Sequence, residues 1–542
     1  MNAHAIARQP LNLLLSGWRA VARSWARPAP ALEPYHQPEA PLRHALRKFA
    51  VVALIILIGM IYGFLIAIFP AFLYLYLALP IGLLALFVIW ALPETDNAPT
   101  DAIRWLFFAI IATVSLWPNY LAIVVPPLPW VTFMRLWSIP LALLLVISLS
   151  ISTRFRTEMS EWFTTSREIL VMMAIFVFLG AVTLPLTQTP FGSFNRYLIS
   201  QFEWTSVFFV ACFVFRRPGS VTLWAKIFCG CAIFLAVSSV IEYRNNQVPW
   251  ANHIPPFLKI ESELVQDILR GGVRSATGRY RVQSIFATSL NFAEFLALST
   301  PFTLHFLIHT KRAIVRWGLL AYIPFLFWII LLTDSRLGMV GFFASILGYG
   351  FLWSYKRWRD DKTSIVIATV VYGYPAIVAV FLALSLVWRR LEVMVWGGGP
   401  QQASNDAREL QWIWGMRGFK EWPIGYGNGE AARVVGWTNQ AGELSLDSYY
   451  LTILLDYGLI GFIAYFGMFA VAGWKSFTTG MKSKDKEIDL LLPLSIMIGV
   501  FVVIKSVLSQ DDNHTLVFMA LGAVVALYHR YRMENLARAA IA

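Results

Sequence analysis

Fourteen apolar runs, each long enough to cross a hydrocarbon layer of ~30 Å, succeed one another along the 542-residue chain. They lie at about 49–69, 71–92, 104–125, 131–151, 168–186, 198–215, 221–241, 285–308, 317–333, 337–354, 364–387, 447–473, 488–508 and 514–529. A chain with this pattern has lipid as the solvent for most of its length. Composition agrees: 58% of residues are hydrophobic and 14% charged, where soluble domains average roughly 45–50% and about 25%. The fold class is all-α, a polytopic membrane protein with about 14 transmembrane helices, 12 being the alternative count.

Orientation follows from the basic residues. With the N-terminus inside, the tail and the cytoplasmic segments hold 28 of the 44 Lys and Arg. Most of the remaining 16 fall in two long loops, and long translocated loops escape the positive-inside rule that short ones obey. Both termini are then cytoplasmic. An odd number of spans would place Arg530 and Arg532 outside, against that rule. The net charge of +13 is thus an orientation signal. Basic tracts interleaved with aromatics are absent, which sets nucleic acid aside as a partner. Cys212, Cys229 and Cys231 sit inside apolar runs without redox or zinc spacing and read as packing residues.

The organisation reads as follows. Residues 1–48 form a cytoplasmic tail that does not have the form of a signal peptide. There Leu11, Leu14, Leu15, Trp18, Ala22 and Trp25 share one helical face beside Arg19 and Arg23, a pattern suited to the membrane interface, and a proline-rich linker from Pro28 to Pro41 follows. Residues 49–241 form an N-terminal transmembrane bundle, 242–284 an Arg-rich periplasmic loop and 285–387 the core helices. A larger periplasmic loop, 388–446, leads to the C-terminal helices at 447–529 and a cytoplasmic tail at 530–542.

Three arginine-bearing elements open on the outer face: Arg279 and Arg281 before the eighth span, Arg336 between the ninth and tenth, and the loop from Arg408 through Arg417 to Arg433. A guanidinium stays charged, binds phosphate bidentately and tolerates partial desolvation. Such a cluster suits a lipid-linked phosphate or pyrophosphate. Arg336 has a plainer reading as a partner of Asp334 or an interface anchor. Asp447, at the start of the twelfth span, is placed to accept a proton from a sugar hydroxyl. It is equally a helix N-cap by position. Glu294, Asp456 and Lys505 lie inside apolar runs, where interhelical pairing explains them, with Asp511 or Asp512 as partners for Lys505. Adjacent Asp511 and Asp512, without further ligand spacing, are weak as a divalent-ion site.

Several stretches together resemble the O-antigen ligase and polysaccharide polymerase superfamily of membrane glycosyltransferases. Arg281-Val282-Gln283-Ser284-Ile285-Phe286, with Leu290-Asn291, resembles its Arg-x-x-Gly-x-Phe segment, and Thr333-Asp334-Ser335-Arg336 its Thr-x-Ser-Arg turn. Arg408 with Pro423-Ile424-Gly425-Tyr426-Gly427 resembles its Arg…Pro-x-x-Gly-x-Gly loop. Asp447-Ser448-Tyr449-Tyr450-Leu451, then Asp456-Tyr457-Gly458-Leu459-Ile460-Gly461, resembles its His-Asn-x-Tyr-Leu…Glu-x-Gly-Leu-Ile-Gly signature. The similarity covers roughly 270–475. It implies an inverting, metal-independent transfer without a cofactor, in the bacterial inner membrane. A sugar hydroxyl attacks a glycan carried on undecaprenyl pyrophosphate. Arg281 and Arg336 would hold the pyrophosphate, and Arg408 or Arg417 would position donor or acceptor. Chain-length regulators and export proteins are the implied partners.

Two departures stand out. The family glycine is Ser284 here, and the ligases carry histidine at Asp447. Similar exopolysaccharide polymerases show Asp-Ser-Tyr at that point, so the reading is a polymerase of lipid-linked repeat units. A ligase that moves a finished glycan is the nearest alternative. A flippase for lipid-linked oligosaccharides and a non-catalytic assembly partner belong to other classes.

The topology is directly testable. Cysteines introduced at positions 260 and 420 are expected to react with an impermeant maleimide from the periplasmic side. Those at 160, 360 and 535 should react only after the inner membrane is breached. A protected position 420 would remove the shared face of the arginines.

Overall fold

The computed structural model describes, with few exceptions, residues 74–124, 130–260, 280–389, 402–438 and 442–541, together with scattered positions outside these ranges. The expected interfacial helix and proline-rich linker lie outside the described residues, as does about half of the first apolar run. The chain divides into two compact units, 1–79 and 80–542.

The elements are α1 (Tyr74–Trp90), α2 (Thr100–Leu116), β1 (Leu121–Ile123), β2 (Val131–Thr132), α3 (Phe133–Ile151), α4 (Thr153–Thr165), α5 (Arg167–Val182), α6 (Pro190–Val214) and α7 (Ser220–Asn245). They continue with β3 (Leu258–Ile260), α8 (Ser289–His309), α9 (Ala313–Leu332), α10 (Arg336–Asp360) and α11 (Ile365–Val387). The last are α12 (Gln402–Glu421), α13 (Ala431–Val435), α14 (Tyr449–Lys482), α15 (Leu491–Lys505) and α16 (His514–Ile541). Among the described residues nine helices are long and apolar enough to cross a membrane. The helices α1, α2, α8 and α16 occupy four other expected spans, the first two shorter and the last two more polar. The protein is an all-α multi-pass membrane protein.

The chain departs from the expected spans in three places. The run at 104–125 is not one helix: α2 stops at Leu116, ahead of Pro118, because the residue before a proline is pushed out of the helical region. Leu121–Ile123 then becomes the middle strand of a small antiparallel sheet, flanked by Val131–Thr132 and Leu258–Ile260. The large loop carries two helices of its own, α12 and α13. The sixth expected span begins earlier, at Pro190, and contains a π-helical stretch, Gln201–Thr205.

The core is the packing of α8 against α10 and α15, and of α14 against α5, α15 and α16. At its centre Lys505 Nζ lies 3.0 Å from Glu294 Oε1, both side chains wholly buried. Asn513 Nδ2 donates to Glu294 Oε2 at 2.9 Å, and Lys505 also donates to the Gln510 carbonyl. The ion-pair partner of Lys505 is therefore Glu294 rather than Asp511 or Asp512. Lys505 thus ties Glu294 of α8 to the loop that follows its own helix, through the Gln510 carbonyl.

Breaking a buried pair leaves an uncompensated charge, at a typical cost of about 3–5 kcal/mol. Lys505→Met is expected to lower the melting temperature of the purified protein sharply, and pairing it with Glu294→Leu should restore much of the loss. Equal melting of Lys505→Met and the parent would show the pair to be idle.

Candidate active site

Four sequence-predicted residues from separate segments line one cavity of about 540 Å³: Arg281, Arg336, Arg408 and Asp447. Arg279 lies outside the described residues. Arg417 is exposed on α12 and lines neither this cavity nor its neighbour.

Each member is held from below. Glu242, at the end of α7, is buried and accepts from Gln283 N and Ser284 N, both at 2.8 Å, and from the Tyr280 hydroxyl at 2.9 Å. That carboxylate pins the segment carrying Arg281. Ser284, where the related proteins have glycine, adopts φ +54°. The position asks for the left-handed backbone that glycine takes without a Cβ penalty, so the departure preserves the geometry. Arg281 in turn donates from Nε to the Thr333 carbonyl at 2.9 Å and from Nη2 to the Asp334 carbonyl at 3.3 Å. It braces the turn in which Ser335 caps α10, its Oγ accepting from Gly338 N at 3.4 Å. Arg336 is the first residue of that helix, and its Nη2 donates to Asn405 Oδ1 on α12 at 2.8 Å.

The helix α12 is the bridge. One turn beyond Asn405, Arg408 Nε forms an ion pair with Asp447 Oδ2 at 3.3 Å. A turn further, buried Gln411 accepts from Asp447 N at 2.9 Å. Asp447 does not cap α14: that cap is Ser448, whose Oγ accepts from Leu451 N at 3.5 Å. The Asp447 side chain is left to the cavity.

The glycine motif has a structural role. At Gly458 (φ 69°, ψ −172°) α14 is broken. The carbonyls of Leu455 and Asp456 are taken by Tyr426 N at 2.8 Å and Gly427 N at 2.9 Å. Asp456, expected in an interhelical pair, instead accepts from Gly429 N and Ala431 N, both at 2.8 Å. A Cβ at Gly458 would stand 2.5 Å from the carbonyl oxygens of Pro423 and Ile424. The loop Pro423–Gly429 thus seats in the helix break, which only glycine permits.

A second cavity, of about 570 Å³, adjoins the first, with Ser509 lining both. It holds Arg135, Arg196, Glu203, Asp511 and Asp512 beside aromatic rings. Burial, with Asp511 beside it, pushes the Asp512 carboxyl up to about 7, so near neutrality it both accepts and donates hydrogen bonds. Arg135, Arg196 and Glu203 escape a reading of the sequence by loops. The available signal was a glutamate inside the apolar run at 198–215, since ionisable residues at that depth mark function.

The fold and this polar end define a multi-pass membrane protein with an arginine-lined cavity at one end of the bundle. Residues 321–466 match the family described as O-antigen ligase. The matched stretch is 146 of the 542 residues, and over it the chain is similar to the O-antigen ligase-like superfamily, membrane enzymes of the glycosyltransferase type whose substrates are lipid-linked glycans. The matched stretch includes Arg336, Arg408, Arg417 and Asp447, and Arg281 precedes it. No curated protein matches the chain.

A left-handed serine costs roughly 1–2 kcal/mol over glycine, and the Ser284 hydroxyl is buried without a hydrogen-bond partner. Ser284→Gly is therefore expected to melt no lower than the parent and to keep its activity, while Ser284→Val should lose stability. A stability loss in Ser284→Gly equal to that of the valine variant would contradict the backbone account.

Proposed function

We propose that this protein polymerises undecaprenyl-pyrophosphate-linked repeat units into a surface or secreted polysaccharide at the periplasmic face of the inner membrane. The observation that carries the reading is the meeting of three guanidinium groups and one carboxylate, from four segments far apart in sequence, around one cavity. Arg281 and Arg336 hold the donor's pyrophosphate, and Arg408 sets the place of the Asp447 carboxylate through their ion pair. An acceptor hydroxyl oxygen attacks the anomeric carbon from the face opposite the pyrophosphate. The new glycosidic C–O bond forms as the C–O bond to phosphate breaks with inversion. The electron pair leaves on the phosphate oxygen, where the guanidiniums neutralise it, and the hydroxyl proton passes to Asp447. The step needs no metal or cofactor. Asp447-Ser448-Tyr449 in place of the ligase histidine favours chain growth over transfer of a finished glycan.

Losing one preorganised donor to a developing charge costs about 2.7–4 kcal/mol, or 10²–10³ in rate. Arg336→Ala is expected to show that loss in transfer from a purified lipid-linked repeat unit, and Arg336→Lys to recover little, since a point charge does not bind bidentately. Asp447→Asn should melt like the parent, because the cap belongs to Ser448, yet lose most of the transfer rate. Near-normal polymer from Asp447→Asn would sink its role as base. Addition of a single finished glycan without chain growth would make the enzyme a ligase.

A further inference from the structure

We infer that the second cavity is a saccharide site, one that holds the sugars of a glycan beside the pyrophosphate cavity. The inference rests on the glycosyltransferase reading above. Four observations carry it.

The first is Glu203. It lies in the π-helical stretch of α6, only 8% exposed, and its carboxylate has no hydrogen-bond partner among the described residues. It lines the cavity. Single π-turns inside helices are frequent at functional sites, and an ionisable group inside a membrane helix points by default to function.

The second is the mixture of groups around it. Arg135, Arg196, Glu203 and Asp512 offer donors and acceptors of both kinds, and Trp130 and Tyr120 add aromatic surface. Sugars present vicinal hydroxyls, each a donor and an acceptor, and apolar C–H faces. Carboxylates and guanidiniums meet adjacent hydroxyls with two bonds, and rings cover the C–H faces. Four carboxylates, Glu203, Asp456, Asp511 and Asp512, against two guanidiniums do not suit a second pyrophosphate.

The third is that the polar groups are already braced. Arg196 Nη1 donates to the Gly429 carbonyl at 3.0 Å, and Arg135 donates to the Trp130 carbonyl. The Tyr120 hydroxyl accepts from Trp250 Nε1 at 3.1 Å. Asp512 accepts from Asn291 Nδ2. A pocket of this volume lies within the roughly 300–1,000 Å³ of ligand sites. The fourth is position: Ser509 lines both cavities. A sugar in one therefore lies next to a pyrophosphate in the other.

The test uses the purified full-length protein and two probes, the free oligosaccharide released by mild acid from the cell's own lipid-linked repeat unit, and undecaprenyl pyrophosphate without a glycan. Glu203→Gln and Trp130→Ala are expected to weaken oligosaccharide binding at least tenfold while binding undecaprenyl pyrophosphate as the parent does, which also certifies their fold. Arg336→Ala should do the reverse. Oligosaccharide binding unchanged in both cavity variants, or absent from the parent, would overturn the inference. Undecaprenyl pyrophosphate binding unchanged in Arg336→Ala would instead overturn the pyrophosphate clamp and leave the saccharide site standing. Transfer kinetics then identify whose sugars occupy the site. Shortened polymer at an unchanged donor KM marks the growing acceptor chain, and a raised donor KM marks the donor's own glycan.

Discussion

A helix broken inside a membrane must have its freed backbone groups satisfied by protein. In α14 the break at Gly458 leaves two carbonyls, which the loop Tyr426–Gly427 takes, while the Asp456 carboxylate holds Gly429 and Ala431. This one exchange ties the end of the large loop to the bundle. From it follow the placement of α13, the approach to α14 and the point at which Asp447 meets Arg408. The Asp456-x-Gly458 and Pro423-x-Gly-x-Gly motifs are two halves of one joint.

Acidic residues buried among helices do the same work elsewhere. Glu242 gathers Tyr280, Gln283 and Ser284 and so presents Arg281. Glu294 joins Lys505 and Asn513, linking α8, α15 and the start of the loop to α16. Each is satisfied by several partners, which offsets the cost of placing a carboxylate away from water. Glu203 differs. It too is buried, but among the described residues it lacks such hydrogen-bond partners, and it faces a cavity. Hydrogen-bonded carboxylates build the frame, whereas the Glu203 carboxylate lines a cavity.

The two adjoining cavities also give the large loop a purpose. Its helix α12 reaches the turn before α10 through Asn405 and the mouth of α14 through Gln411. Arg336 and Asp447 therefore cannot move independently of it. A loop that joins a cation to a carboxylate in this way couples whatever binds at one to the geometry of the other.

By itself the sequence determined the class: long apolar runs in lipid fold as helices whatever their neighbours, so most helices coincide with runs read in advance. The arginines and Asp447 were legible because charge at the edge of an apolar run has few structural uses. Tertiary structure alone decided the rest. Which buried charges pair depends on which helices touch, and Lys505 found Glu294 on α8, not its neighbours in sequence. Pro118 ended a helix within an apolar run, and strands distant in sequence then completed a sheet. The cavity around Glu203 draws on α3, α6, α14 and the loop before α16. No local pattern carries a site whose parts meet only when the bundle closes.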